Sequence, residues 1–143
     1  MRRSLVMVIS VALMLGACGG DDSDPAAVLA GFEDARNSGD VDAVMAFYAE
    51  DAVVENHALD NDGLATGKLE IFPLEARVPR IIGSTGGFEA TDTEVSGNKV
   101  TFSSIFHNAQ GECFSNRGHQ ITVKDDKITL HVWSDGEDPS LCE

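Results

Sequence analysis

The chain has 143 residues, with 24 Asp and Glu against 10 Lys and Arg, and a formal net charge of −14. That length allows one domain of ordinary size, and a hydrophobic content of 43% suffices to bury a core, which excludes wholesale disorder. So acidic a chain is repelled by phosphate backbones and by anionic lipid, which excludes nucleic acid as a partner and admits a membrane only through a covalent anchor.

The N-terminus reads Met1-Arg2-Arg3-Ser4, then an uncharged run of 11 residues from Leu5 to Leu15, then Gly16-Ala17-Cys18. This is the basic, apolar and small-residue order of a signal sequence. The run is too short for a bilayer, which takes about 20 residues. Leu15-Gly16-Ala17-Cys18 resembles the bacterial lipobox, a resemblance that implies lipidation of Cys18. An ordinary secretory signal is the alternative, and the residues around Arg2-Arg3 do not extend into a twin-arginine signal. Removing residues 1–17 takes away Arg2 and Arg3 and no acid, leaving 126 residues at −16. Gly19-Gly20-Asp21-Asp22-Ser23-Asp24 lacks apolar side chains and reads as a tether, so the division is signal 1–17, anchor and tether 18–24, domain 25–143. The expected location is the extracytoplasmic face of the envelope. There, Cys113 and Cys142 are expected to be oxidised to one another. Their bridge closes a loop of about 30 residues, worth about 3 kcal/mol in the chain-entropy model. Two free buried thiols are the alternative.

Asp24-Pro25 opens a helix, with Asp as cap and Pro in the first turn. Val28, Leu29, Phe32 and Ala35 give it one apolar face, and Asn37-Ser38-Gly39 ends it. Asp40 caps a second helix with a stripe of Val41, Val44, Met45 and Tyr48. Ala52 to Asn56 reads as a strand and Asp60-Asn61-Asp62-Gly63 as a turn, whose acids miss the offsets of a calcium loop. From Gly67 to Ile82, the residues Leu69, Phe72, Leu74 and Ala76 predict a helix that Pro73 and Pro79 break or kink. Gly83 to Gly87 is a loop lacking the Lys of a phosphate loop. Strands follow over Phe88–Val95, Lys99–His107, Cys113–Lys124 and Ile128–Trp133. The turns between them are Ser96-Gly97-Asn98, Gln110-Gly111 and Asp125-Asp126. Helices before a run of antiparallel strands argue an α+β fold with helices on one face of a curved sheet.

Three segments carry a family resemblance: Asn37 to Val53, Ala65-Thr66-Gly67-Lys68, and the closing hairpin Val123 to Thr129. Over about residues 24–135 the chain resembles the SnoaL-like branch of the nuclear transport factor two-like superfamily. The resemblance implies a cone-shaped, curved antiparallel sheet packed against N-terminal helices, with a pocket between them. Relatives include polyketide cyclases, ketosteroid isomerases, epoxide hydrolases and non-catalytic binding domains, so fold alone does not fix activity. Asn56 matches the Asn of the limonene-epoxide-hydrolase pattern. Val54 stands where its Tyr belongs, Ser104 and Phe106 where its Arg and Asp belong, and Trp133 near its water-activating Asp. The ketosteroid-isomerase pair of acids has no counterpart on residues 100–108.

His57, His107, His119 and His131 all lie on or beside predicted strands. No His-x-His pair supplies two ligands, so no metal is expected, and no cofactor motif is present. His119 and His131 are the candidate acid or base groups. Tyr48, Asn56, Phe102, Ser104, Phe106 and Trp133 are the candidate ligand-binding residues, an aromatic lining with a few polar groups suited to a small apolar molecule. On the last strand, Ile128, Leu130 and Val132 share one face and Thr129, His131 and Trp133 the other. The hydrophobic set points to the core, the resemblance points to the second set, and a bulge reverses either choice. The expected activity is binding of a small apolar ligand or partner without catalysis, with a histidine-dependent isomerase, hydrolase or cyclase as the alternative. Expected contacts are the membrane through the lipid and a second copy through the sheet face.

Overall fold

A computed structural model describes residues 23–57, 63–82, 87–134 and 136–143. The signal sequence, Cys18 and most of the tether lie outside the described residues. So do Asp60-Asn61-Asp62 of the acidic turn and residues 83–86 of the loop before the strands.

Helix α1 spans Pro25–Ser38, and Asp24 caps it by accepting from the Ala26 and Ala27 amides. Gly39, with φ of 72°, closes it in the left-handed conformation that glycine tolerates best. Helix α2 spans only Val41–Met45, capped by Asp40. Tyr48 therefore does not sit on its stripe. It opens strand β1, Tyr48–Asn56, four residues earlier than the predicted strand. The polypeptide turns at Ala46-Phe47, and Tyr48 points into the core from a strand instead of a helix.

The segment predicted to be a broken helix is one. After a short strand β2 (Gly63–Thr66), helix α3 covers Lys68–Glu75 with Pro73 inside it, and α4 covers Val78–Ile82. The predicted apolar face of α3 is wrong. Leu69 is 94% exposed and Phe72 45% exposed, whereas Ile71 and Glu75 are buried. A charged residue occupies the inward position, and hydrophobicity alone cannot pick the stripe.

Strands β3 (Phe88–Ser96), β4 (Lys99–His107), β5 (Cys113–Lys124) and β6 (Lys127–Trp133) form the predicted ladder. Asp125 and Asp126 both take positive φ, 50° and 57°, as a two-residue hairpin turn requires. The sheet runs β2-β1-β6-β5-β4-β3, with β7 (Gly136–Glu137) beside β5. It is mixed, not wholly antiparallel, because β1 lies parallel to β6 in a register that pairs Tyr48 with Ile128 and Asn56 with Trp133. The curved sheet stays open, and α1 packs across it.

Two bulges aim the inner faces. Val123 pairs with Ile128 but Thr122 with Leu130, so Thr129 is extra on β6. Ile128 and His131 consequently both face inward, and the conflict between the two predicted faces disappears. On β5, Phe102 pairs with His119 and Ser104 with Asn116, so Arg117 and Gly118 together oppose Ser103. Gly118 has φ of 85°, and a Cβ there would lie 3.2 Å from the Ser134 hydroxyl oxygen. A side chain at this position would be both strained and crowded.

Cys113, at the start of β5, is bonded to Cys142 in the terminal 3-10 turn Pro139–Cys142, with Cα atoms 5.9 Å apart. The Arg117–Asp138 ion pair and the Asp138 amide, which donates to the Ser115 carbonyl at 3.1 Å, hold the same turn. Reduction is expected to lower unfolding free energy by about 3 kcal/mol. A urea midpoint that does not move on adding reductant would show that the turn contributes nothing.

Candidate functional site

Among the described residues, buried polar side chains gather into two clusters. The first joins three elements. Arg36, in the last turn of α1, follows Phe32 by four residues and lies on the buried stripe. Its Nη2 donates to Glu75 Oε1 at 2.8 Å and its Nε to Oε2 at 3.1 Å, a two-point pair across to α3. Glu75 is 1% exposed and Arg36 8%. The guanidinium lies 4.5 Å from the Phe32 ring centre, 5.0 Å from Phe88 and 5.2 Å from Trp133. Burial pulls the Arg36 pKa down, the adjacent Glu75 more than offsets this, and the group stays a cation.

Tyr48 donates its hydroxyl proton to Glu75 Oε1 at 2.5 Å. Burial first, and the Glu75 charge second, hold its pKa well above the usual value, so it remains a donor. His131 Nδ1 lies 2.7 Å from the same hydroxyl oxygen and 3.0 Å from Trp133 Nε1. Nδ1 serves one of these at a time. With its proton it donates to Tyr48, and without it accepts from the indole. Burial, then the Arg36 charge, push the His131 pKa well below its ordinary value, so the ring is neutral.

The second cluster lies on β4 and β5. His119 Nε2 is 2.9 Å from Ser104 Oγ, and the His119 ring stacks on Phe102 at 5.2 Å. The Ser134 amide donates to Nδ1 at 3.3 Å, and in that tautomer Nε2–H donates to Ser104. Burial and the Arg36 charge lower the His119 pKa to about 4, against a partial offset from a backbone hydrogen bond to Val132.

Of the candidate residues, Tyr48, His131 and Trp133 thus meet in one cluster and Phe102, Ser104 and His119 in the other. Asn56 is buried beside Trp133 in the parallel register. Phe106 stands apart, half-buried and stacked on the exposed Phe114 at 5.2 Å. Among the described residues, no group of His, Cys, Asp and Glu converges as a metal ion would require. Arg36 and Glu75 were missed from the sequence. Their signal was present: each is a charge four residues after a buried apolar residue, Phe32 or Ile71, on an inward stripe.

The SnoaL-like domain model matches residues 28–131. The chain belongs to the SnoaL-like domain family. The match runs from α1 into β6 and contains Arg36, Tyr48, Glu75 and His131 of the first cluster and Phe102, Ser104 and His119 of the second. No curated protein matches the chain. A ketosteroid isomerase-like fold from Catenulispora acidiphila, solved with trimethylamine, is 18% identical, over 73% of this chain and 82% of that one, at a TM-score of 0.60. A nuclear transport factor two-like protein of unknown function from Mesorhizobium loti is 21% identical, over 76% and 87%, at 0.62. A putative polyketide cyclase from Sinorhizobium meliloti is 20% identical, over 74% and 92%, at 0.58. At these identities the likeness is one of fold.

Proposed function

We propose that this SnoaL-like protein is a lipid-anchored component of the cell envelope whose domain binds a small apolar or amphipathic molecule between the helices and the sheet, without catalysis. The observation that carries this reading is that the strongest polar groups of the interior already answer one another. Arg36 holds Glu75 by two hydrogen bonds, Tyr48 holds the same carboxylate, and burial keeps His119 and His131 neutral. Such groups orient a ligand through aromatic faces and a few hydrogen bonds. Both Glu75 oxygens are engaged by Arg36. The lipobox-like Leu15-Gly16-Ala17-Cys18 supports the anchor, and the Cys113–Cys142 bridge fits an oxidising compartment.

One observation favours a second reading, a hydrolase, isomerase or cyclase. In the other tautomer of His119, Nε2 accepts from the Ser104 hydroxyl at 2.9 Å, the arrangement that base activation of a hydroxyl needs. A thermal-shift series on the detergent-solubilised full chain, with steroids, aromatic polyketides and fatty acids, separates the two. Saturating ligand at about a hundred times its Kd adds about 2.7 kcal/mol to stability. A class that shifts the transition and is recovered unchanged supports binding. Turnover that is lost in His119→Ala supports the enzyme. A panel in which no class shifts the transition counts against both.

A further inference from the structure

The described chain begins at Ser23, and its place in the fold is fixed. The Asp126 amide, in the β5–β6 turn, donates to Ser23 Oγ at 2.9 Å. Asp24 caps α1 immediately after it. The same end of the molecule holds the β3–β4 turn, since the Val123 amide donates to the Asn98 carbonyl at 2.8 Å. It also holds the end of α2, where Lys127 Nζ donates to the Ala46 carbonyl at 2.7 Å. Three of the four lysines of the chain, Lys99, Lys124 and Lys127, are exposed here.

The strand directions put Arg36, Asn56 and Trp133 at the opposite end. Strand β6 leaves the hairpin at Lys127 and reaches Trp133 six residues on, about 20 Å away. Parallel β1 ends at Asn56 beside it. Helix α1 rises about 20 Å over its 14 residues and brings Arg36 to that far end. There, an open cleft of about 340 Å³ lies between α1 and strands β3 and β4, lined by Glu33, Phe88, Glu89, Ile105 and His107.

Four residues separate Cys18 from Ser23. Even fully extended they place Ser23 within about 18 Å of the lipidated residue. That is shorter than the domain is long, so the chain's exit point dictates which end meets the bilayer. Resting on the proposed lipid anchor, we propose that the hairpin end, with Lys99, Lys124 and Lys127, faces the membrane, and that the end carrying Arg36, Asn56 and Trp133 faces away. The lysines stand beside Asp125 and Asp126 of the β5–β6 turn, so the lipid supplies the affinity and the mixed charges let an acidic domain approach anionic headgroups. The cleft lined by Glu33, Phe88 and His107 then faces away from the bilayer, so a ligand entering there arrives dissolved in the envelope space instead of being drawn from the bilayer.

Trp133 is the sole tryptophan of the chain and reports on the question directly. Lipidated full-length protein is reconstituted into vesicles containing brominated phospholipid, which quench indoles at the bilayer surface. Trp133 emission is expected to match that in unbrominated vesicles. A variant carrying Asn98→Trp with Trp133→Phe moves the reporter to the β3–β4 turn, and its emission is expected to be at least halved. If Trp133→Phe fails to fold, Asn98→Trp alone is read as the quenchable fraction of two indoles. Quenching of Trp133, or equal quenching of both reporters, overturns the orientation while leaving the anchor intact. Protein that does not float with the vesicles, like a Cys18→Ser control, overturns the anchor and the orientation with it.

Discussion

Glu75→Ala is expected to cost about 3–5 kcal/mol of unfolding free energy, because it leaves the buried Arg36 cation without its carboxylate. A domain of this size has about 5–15 kcal/mol in total, so the variant would lie near the edge of folding. Two further losses add to the charge. The Tyr48 hydroxyl loses the acceptor it reaches at 2.5 Å, and the cation keeps only its contacts with the Phe32, Phe88 and Trp133 rings. Arg36→Leu leaves the complementary fault, a buried carboxylate held by Tyr48 alone. The double variant Arg36→Leu, Glu75→Leu removes both charges. It is expected to recover most of the loss, since apolar side chains commonly replace a buried pair at little cost. Urea midpoints of the two single variants and the double variant form the test. Additive effects would show that the two residues are energetically independent and would refute the pairing.

The same pair marks the limit of what was legible in the sequence. The ladder from Phe88 to Trp133 could be read because each strand is bounded by a local turn signal. Asp125-Asp126 supplies positive φ, and both ends of Lys99–His107 and Cys113–Lys124 fell where predicted. The caps Asp24 and Asp40 act within three residues and were equally plain. The parallel pairing of β1 with β6 joins residues about eighty positions apart and leaves no local trace. Tyr48 continued the spacing of Val41, Val44 and Met45 so well that periodicity extended α2 past its end at Met45. On α3, Leu69 and Phe72 outweighed Glu75 in apolar character, yet Glu75 turns inward because Arg36 waits there to neutralise it. The candidate site was half visible for a related reason. Tyr48, Ser104, His119, His131 and Trp133 have the chemistry of a pocket whatever their partners. The ion pair that organises Tyr48, His131 and Trp133 is defined only by a contact between two helices.

Mild acid is expected to destabilise the domain. His119 has a folded pKa of about 4, and His131 is also pushed well below its ordinary value by burial and by Arg36. An unfolded histidine titrates near 6.5. Between those values the unfolded chain binds protons that the folded one refuses, so stability falls as pH falls. The histidine contribution is whole above about pH 7 and drains away from about pH 6.5 toward 4. For His119 the loss by pH 5 is about 2 kcal/mol, and His131 adds to it with the same sign. The chain's net charge of −14 works the other way, because a smaller net charge relieves self-repulsion. A fall in the urea midpoint from pH 7 to 5 therefore has the sign of the buried histidines, and His131→Gln should flatten it. A midpoint that is level or rises over that interval would rule out neutral burial of the pair. The direction follows from the architecture. Two imidazoles share an interior with a fixed cation whose carboxylate is already engaged by Arg36 and Tyr48, so a further positive charge finds Arg36 before it finds a partner.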